Sequence, residues 1–510
     1  MTAFPWMLDR APPWVLGIDL GTTNTAAVAL RRGSDEPVSI LHGRDRLVMP
    51  SVVSLKNPNL PLVGWLAKDM LLTDPLTTIY GWKRFIGRNE RSEYVQRHRD
   101  RFPFRIHADP NGALGAVVGQ QVYSFEHVAA LVLDQARLQA TAALNEEVRD
   151  AVIAVPAHFT AAQRHSVLEA GKRARLNVLR LVNEPTAAAL AFGIDRHLDS
   201  NLMVFDLGGG TFDATLLELV DNIFDVKATR GEGFLGGIDF DRAIVERCMR
   251  IIEERYGVDL REETVVLQRM LNAAEAAKIR LSDVEETRIH VPTIGTDRKG
   301  AWFDLDYVLS RRELEALTAP LVERAIGIVE EMMAGQTVDH IIAVGGQSRM
   351  PLVLQRIAKS LGRAPLTHLS PDTCVAHGAA LVGQSVGRID GAVLLDVLSV
   401  PIGIVFPGGR TELLFDVGCK LPATVLVEVD RPTRTADLAV GVWQGSSITS
   451  SDRHVLGVVH MAPDLFAGSD PCHLELHLTE DLRVQATFRT GPRIEPLSLE
   501  HAPQLHRPAR

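Results

Sequence analysis

From about residue 15 to 385, short apolar runs of strand length alternate with longer stretches of helical period. That alternation predicts an α/β architecture. Helix starts are marked by local chemistry. Thr160-Ala-Ala-Gln163 and Ser310-Arg-Arg-Glu313 have the spacing of capping boxes, and Pro185 follows Asn183-Glu184 where a first-turn proline belongs. The stretch RRELEALTAPLVERAIGIVEEMMAG reads as one surface helix that Pro320 should kink or interrupt. Near residue 386 the pattern changes to short alternating runs between Gly, Pro and Asp turns, as in VLVEV and LHLTEDLRVQATF. This predicts a second, antiparallel β-rich unit.

Two apolar runs end on an acid. VLGIDLGTTNTAAVAL (15–30) and LMVFDLGGGTFDATLLEL (202–219) align so that Asp19 falls on Asp206, Gly21 on Gly208 and Asn24 on Thr211. Each reads as a hairpin whose small-residue turn lets backbone N–H groups approach a ligand closely. A buried carboxylate needs compensation. Two such hairpins face to face predict a grip on a chain of phosphates, with Asp19 and Asp206 holding a divalent cation through water, as suits Mg²⁺. Asp213 adds a third acid near Thr211. Two further glycine pairs precede helices, Gly236-Gly237 in FLGGIDFDRAIVERC and Gly345-Gly346 in HIIAVGGQSRMPLVLQRIAKSLG. A helix start of that kind receives nucleotide phosphates. Together these features predict a duplicated, two-lobed ATPase with the nucleotide in its cleft.

Composition narrows the class. The chain has 510 residues, 46% hydrophobic and 23% charged, with a net charge of −9. That balance builds a sizeable core and argues against a nucleic-acid binder. The four cysteines, Cys248, Cys374, Cys419 and Cys472, are scattered and show no metal-ligand spacing. The first residues lack the pattern of a signal peptide, and no apolar run has the length of a bilayer span. The expectation is a cytoplasmic protein with no membrane or nucleic-acid partner.

The motifs GIDLGTTN, AVIAVPAHFTAAQR, VNEPTAAALAFGID, DLGGGTFD, LGGIDFD and VGGQSRMP resemble those of the seventy-kilodalton heat-shock chaperones of the DnaK type, over about residues 15–385. PDTCVAHGAAL resembles the closing helix of that family's ATPase domain, and AVLLDV (392–397) its interdomain linker. The resemblance implies an actin-like ATPase domain of two ribonuclease-H-like lobes followed by an all-β sandwich. The implied boundaries are an N-terminal extension 1–13, an ATPase domain 14–388, a linker 389–398, a peptide-binding-like β-sandwich 399–500 and a tail 501–510 without the family's helical lid.

It also implies roles. Asp19 and Asp206 would orient hydrated Mg²⁺, with Asp213 placing water or a monovalent cation such as K⁺. Gly21, Thr22, Thr23, Asn24 and Gly208, Gly209, Gly210 and Thr211 would cradle the phosphates of ATP or ADP. Lys68 and Glu184 would serve the γ-phosphate and the attacking water in slow hydrolysis. Gly236 and Gly237 would join the cradle. Glu275, Lys278 and Ser282, on one helical face, would surround the adenosine with Gly345, Gly346, Ser348, Arg349 and Asp372, Arg349 stacking on the base. Pro156 and Arg164 match the family's interdomain relay, and Arg180 matches a position that receives a J-domain co-chaperone. A nucleotide-exchange factor and an unfolded or extended polypeptide are the other implied partners.

The chain departs from the family on the communication route. The linker has one large apolar residue fewer, His158 replaces an aromatic, Ala161 an acid, and Ile238 the acid after the LGG turn. Pro407 and Arg410 flank the Gly-Gly of one arch over the peptide groove, and RPTRTAD replaces the other loop. With no lid, bound peptide should leave fast. Two functions follow: an ATP-driven, stress-related chaperone for unfolded polypeptides, or a nucleotide-gated regulatory protein that holds one dedicated partner by strand addition or a folded surface. Most of the chain favours the chaperone. An actin-like filament or a sugar kinase has no place for the linker and β-unit.

Overall fold

The computed structural model describes residues 13–500 apart from 35, 44, 194–198, 222, 334, 367–369, 386–392, 433–436 and 446–452. The N-terminal extension up to residue 12, the start of the linker, most of RPTRTAD and the tail 501–510 lie outside the described residues.

Both acid-bearing runs fold as antiparallel hairpins. Trp14–Leu20 pairs with Asn24–Arg31, placing Asp19 opposite Ala26. Ser200–Leu207 pairs with Phe212–Val220, placing Asp206 opposite Asp213. Each hairpin sits in a larger sheet, and in each the acid-bearing strand has a parallel neighbour on its other side. That neighbour is Asp150–Val155 in the first sheet and His340–Val344 in the second. The first sheet continues to Asn177–Asn183 and Pro37–Ser39, the second to Ile223–Glu232 and Val393–Leu395. The sequence repeat is thus a repeat of sheet topology. Separate apolar cores form around the two sheets, one with Leu16, Trp82 and Phe85, the other with Phe205, Phe240 and Ile244.

Two helices, Glu184–Gly193 and Cys374–Ser385, pack between the sheets. Glycine permits their approach. A Cβ on Gly378 would stand 1.8 Å from the Ala187 carbonyl oxygen, and one on Gly17 would stand 2.0 Å from that of Ala376. This backbone-to-backbone packing fixes where the strand ends bearing Asp19 and Asp206 sit relative to each other.

The β-rich part consists of two antiparallel sheets. One has the order Thr411–Phe415, Ile402–Val405, Leu438–Gln444, His454–Met461, Leu499–Glu500. The other runs Ala423–Glu428, Cys472–Leu478, Val484–Thr490, Arg493–Leu497. Cys472–Leu478 alternates buried and half-buried residues along its length, as a strand with one face on a core must. Ile404, Val442, Leu474, Leu476 and Phe488 fill the space between the sheets.

Several local expectations are refined. Thr160 and Gln163 form the reciprocal capping box. At Ser310 the hydroxyl accepts from Glu313 N (3.2 Å), but the Glu313 carboxylate binds Arg247 and Tyr307 instead of returning to the cap. Pro320 does not interrupt its helix, which runs from Arg311 to Met333. Burial of Leu314, Val322, Ile326 and Val329 along that helix outweighs the one lost hydrogen bond. After Gly345-Gly346 comes a 3₁₀ turn, Gly346–Arg349, and the helix begins only at Pro351.

Candidate functional site

The two hairpin turns meet in a cleft of about 510 Å³. They touch without room for a side chain. A Cβ on Gly209 would lie 1.9 Å from Thr23 Oγ1, and one on Gly210 would lie 2.3 Å from Thr22 Cγ2. The next glycine pair presses on the same turn, since a Cβ on Gly236 would come within 2.6 Å of Gly210 N. Gly237 opens the helix Gly237–Tyr256, and the Asp239 carboxylate caps it by accepting from Gly236 N at 3.1 Å. Gly345 lies in the left-handed region (φ +81°), with Leu207 O 2.4 Å from the Cβ position. Gly346 faces open space.

Most of the residues expected at the site line this cleft. Asp19, Gly21, Thr22, Thr23 and Asn24 come from the first hairpin, and Asp206, Gly208, Gly209 and Thr211 from the second. Lys68, Glu184, Gly237, Glu275, Lys278, Ser282, Gly345, Gly346, Arg349 and Asp372 complete the wall. Four expected residues stand behind it. Gly210 and Gly236 pack the turns together. Ser348 is buried and donates to the Gly345 carbonyl at 2.7 Å. Asp213 is buried, its Oδ1 2.9 Å from His158 Nδ1 and its Oδ2 without a hydrogen-bond partner.

Several side chains make contacts that the sequence did not foretell. Lys68 pairs with Glu275 at 2.7 Å and lies over the Trp65 ring. The lysine among the acids is Lys83, from the short helical turn Trp82–Arg84. Its Nζ is 2.6 Å from Glu184 Oε1, and both side chains are buried. Lys278 bridges Asp241 (2.8 Å) and the Gly237 carbonyl (3.0 Å), which anchors the helix Thr264–Arg280 to the glycine turn. Ser282 lies just beyond that helix. Arg349 is held by Asp372 at 2.8 Å on the rim.

The electrostatics call for a cation. Burial, then repulsion from Glu184, pushes the Asp19 carboxyl up to about 7, with Lys83 pulling the other way. Asp206 is raised well above the usual range by burial and by Glu184, Asp19 and Asp213. Glu184 is raised by burial against the pull of Lys83. Three carboxylates share one lysine, and like charges so close ionise together only when positive charge is supplied. Among the described residues no three His, Cys, Asp or Glu side chains converge as direct metal ligands. The raised Asp19 and Asp206 carboxyls, as hard oxygen donors, suit a hard cation. The orphaned Asp213 Oδ2 is a further acceptor behind this wall.

A second set of contacts joins the cleft lobes to the β-sandwich. Val393–Leu395 adds as a parallel edge strand beside Ile223–Asp225. Asn183 donates to Asp396 at 2.6 Å and accepts from Arg164, which is buried. Ala161 N donates to Gln444 Oε1 at 2.7 Å, and Ser399 Oγ to the Ala157 carbonyl at 2.8 Å. Lys420 pairs with Asp225 and donates to the Val226 carbonyl at 2.6 Å. Arg180 pairs with Glu480 at 2.6 Å. Among the described residues no helix is long and apolar enough to cross a membrane.

Residues 15–462 match the family described as Hsp70 protein. The chain is 39% identical over 451 residues to proteins named "Chaperone protein DnaK" from two strains of Thermus thermophilus, covering 87% of this chain and 72% of each relative.

Proposed function

The chain belongs to the Hsp70 family, and from that premise we propose how this ATP-hydrolysing, DnaK-type chaperone works. Residues 14–388 form the actin-like ATPase, with ribonuclease-H-like lobes. Residues 389–398 form the linker and 399–500 the polypeptide-binding sandwich. One observation carries the reading: two carboxylate-bearing turns from separate hairpins meet across a cleft so tightly that Gly209 and Gly210 leave no space for a methyl group beside Thr23 and Thr22.

The chemistry is phosphoryl transfer to water, which asks for positioning and charge neutralisation rather than covalent work. Thr22, Thr23 and the turn 208–211 present hydroxyl and N–H groups to the phosphates of ATP. Asp19 and Asp206 would hold the hydrated Mg²⁺, which when bound would neutralise phosphate charge. Glu184 orients the attacking water, and Lys83 meets the charge that develops on the transferred group. Lys83 thus takes the role expected of Lys68, whose pair with Glu275 serves instead as a clasp across the cleft mouth. Asp213, through its free Oδ2, receives water or K⁺. Lys278, Ser282, Gly346 and Arg349 surround the adenosine.

Coupling runs through Pro156, Arg164, Asn183 and Asp396 to the sandwich. Arg180, already engaged by Glu480, would be contested by a J-domain co-chaperone, which would favour release of the sandwich. A nucleotide-exchange factor and a cytoplasmic setting complete the proposal. The charged pairs Arg410–Glu412 (3.2 Å) and Arg410–Asp430 (3.5 Å) at the groove of the sandwich support a second reading, a single dedicated partner in place of general apolar peptides.

Single-turnover ATP hydrolysis tests both readings, with the full chain and a chain ending at residue 398 that keeps the docked strand. Stimulation of the full chain alone by an extended apolar peptide supports the chaperone. Hydrolysis by both chains that ignores the peptide supports the dedicated partner.

A further inference from the structure

Next to Lys83, Arg84 reaches from the first lobe into the second. Its side chain is 1% exposed. Nε and Nη2 both donate to the Gly210 carbonyl, at 2.9 and 2.7 Å, and Nη2 also pairs with Asp239 Oδ2 at 2.6 Å. The guanidinium carbon sits 4.2 Å from the centroid of the Phe234 ring. The same Asp239 oxygen caps the helix at Gly236. One guanidinium therefore ties together the last glycine of the second turn, the start of the glycine-led helix and the lobe that carries Lys83. Arg84 itself does not line the cleft.

We propose that Arg84 is a positioning residue for hydrolysis: by clamping the Gly210 carbonyl it aims the Thr211 N–H into the cleft. The peptide unit is planar and trans, so its N–H points opposite its C=O. Pulling the carbonyl towards Arg84 turns the Thr211 N–H towards the cavity that Thr211 lines. Glycine places little restraint of its own on that peptide. The fork of an arginine supplies two donors to one oxygen and a third to a carboxylate, and a lysine ammonium does not reproduce that plane. Asp239 fixes the fork in turn. Arg101, 3.6 Å from the other Asp239 oxygen, is a second cation on that carboxylate.

The inference rests on the reading of the cleft as a nucleotide site, and the two fail separately. The experiment measures, on the full chain, affinity for fluorescently labelled ADP and the single-turnover rate of ATP hydrolysis. The variants are Arg84→Lys and the charge-balanced double variant Arg84→Met with Asp239→Asn, the latter guarding against loss of folding from an unpaired buried acid. Arg84→Ala is measured with and without added millimolar guanidinium. Loss of an oriented donor costs rate more than ground-state binding. Arg84→Lys should therefore slow hydrolysis at least about tenfold, with ADP affinity changed less than about threefold. Guanidinium should restore part of the Arg84→Ala rate. If Arg84→Lys hydrolyses at the parental rate, or if rate and affinity fall by the same factor without guanidinium rescue, the positioning role is overturned. Failure of the parental chain to bind ADP would overturn the site itself.

Discussion

Lys83 Nζ stands 2.6 Å from Glu184 Oε1, the two side chains only 2% and 7% exposed. The pair joins a helical turn of the first lobe to the start of the helix Glu184–Gly193. It is also the cationic contribution to a group of acids that includes Asp19 and Asp206. A buried pair of this kind costs desolvation on both sides, and it does more for the site than for the fold.

Lys83→Met removes the cation and leaves Glu184 buried and unpaired. Breaking a buried pair in this way should destabilise the nucleotide-free protein by about 3–5 kcal/mol. The double variant with Glu184→Gln should recover most of that stability while hydrolysis stays lost. Urea denaturation and single-turnover assays on the two variants separate the effects. Normal hydrolysis in Lys83→Met would return the role to Lys68.

The carboxyl of Asp19, pushed up to about 7 from an ordinary 3.8, ties stability to pH. A folded-state value above the unfolded one means the native state binds the extra proton. Its contribution is full below about pH 4 and is lost as pH rises through about 7. Without Mg²⁺ and nucleotide, stability measured by urea should fall between pH 5 and 7 by up to about 1.4 kcal/mol per unit. Asp19→Asn should remove its share of that fall, while the raised Asp206 and Glu184 keep theirs. An identical slope in the variant would remove Asp19 as its source.

Gly209→Ala and Gly346→Ala differ only in surroundings. The first methyl would lie 1.9 Å from Thr23 Oγ1, while the second meets no atom within 4 Å. Gly209→Ala should drive the two turns apart and weaken nucleotide binding by at least about tenfold. Gly346→Ala should fold within about 0.5 kcal/mol of the parent and lose affinity only if the nucleotide fills the space in front of it. Thermal melts with and without ADP decide both.

Lys420→Glu places like charges at the Asp225 contact and should loosen the sandwich from the ATPase lobes. Combining it with Asp225→Lys should restore the docked arrangement. Small-angle scattering of the full chain reads the change as a rise and recovery of the radius of gyration. Basal hydrolysis should be unaffected, since neither residue borders the cleft. A radius identical in all three proteins would mean these residues do not hold the sandwich.

The acid-bearing hairpins, the capping box at Thr160 and the alternating strands of the sandwich are all legible in the chain. Each is encoded within a few residues, by period, by turn chemistry or by side chains that satisfy their own backbone. So was the cleft as a meeting of turns, because the repeat places Asp19 and Asp206 at equivalent strand ends. That Lys83 joins Lys68 at the cleft was not legible. Both are lysines near an aromatic residue, and the one hint was a Lys-Arg pair inside the apolar run IYGWKRFIG. Burial there demands partners, and those partners, Glu184 and Gly210, lie 101 and 126 residues away. Likewise the pairing of Val393–Leu395 with Ile223–Asp225, and the meeting of Arg164, Asn183 and Asp396, joins segments with no local tie. Local sequence determined the elements and the chemistry each carries. Which charges neutralise one another was decided by how the lobes and the sandwich pack, since a buried charge is satisfied only by whatever the tertiary structure brings within reach.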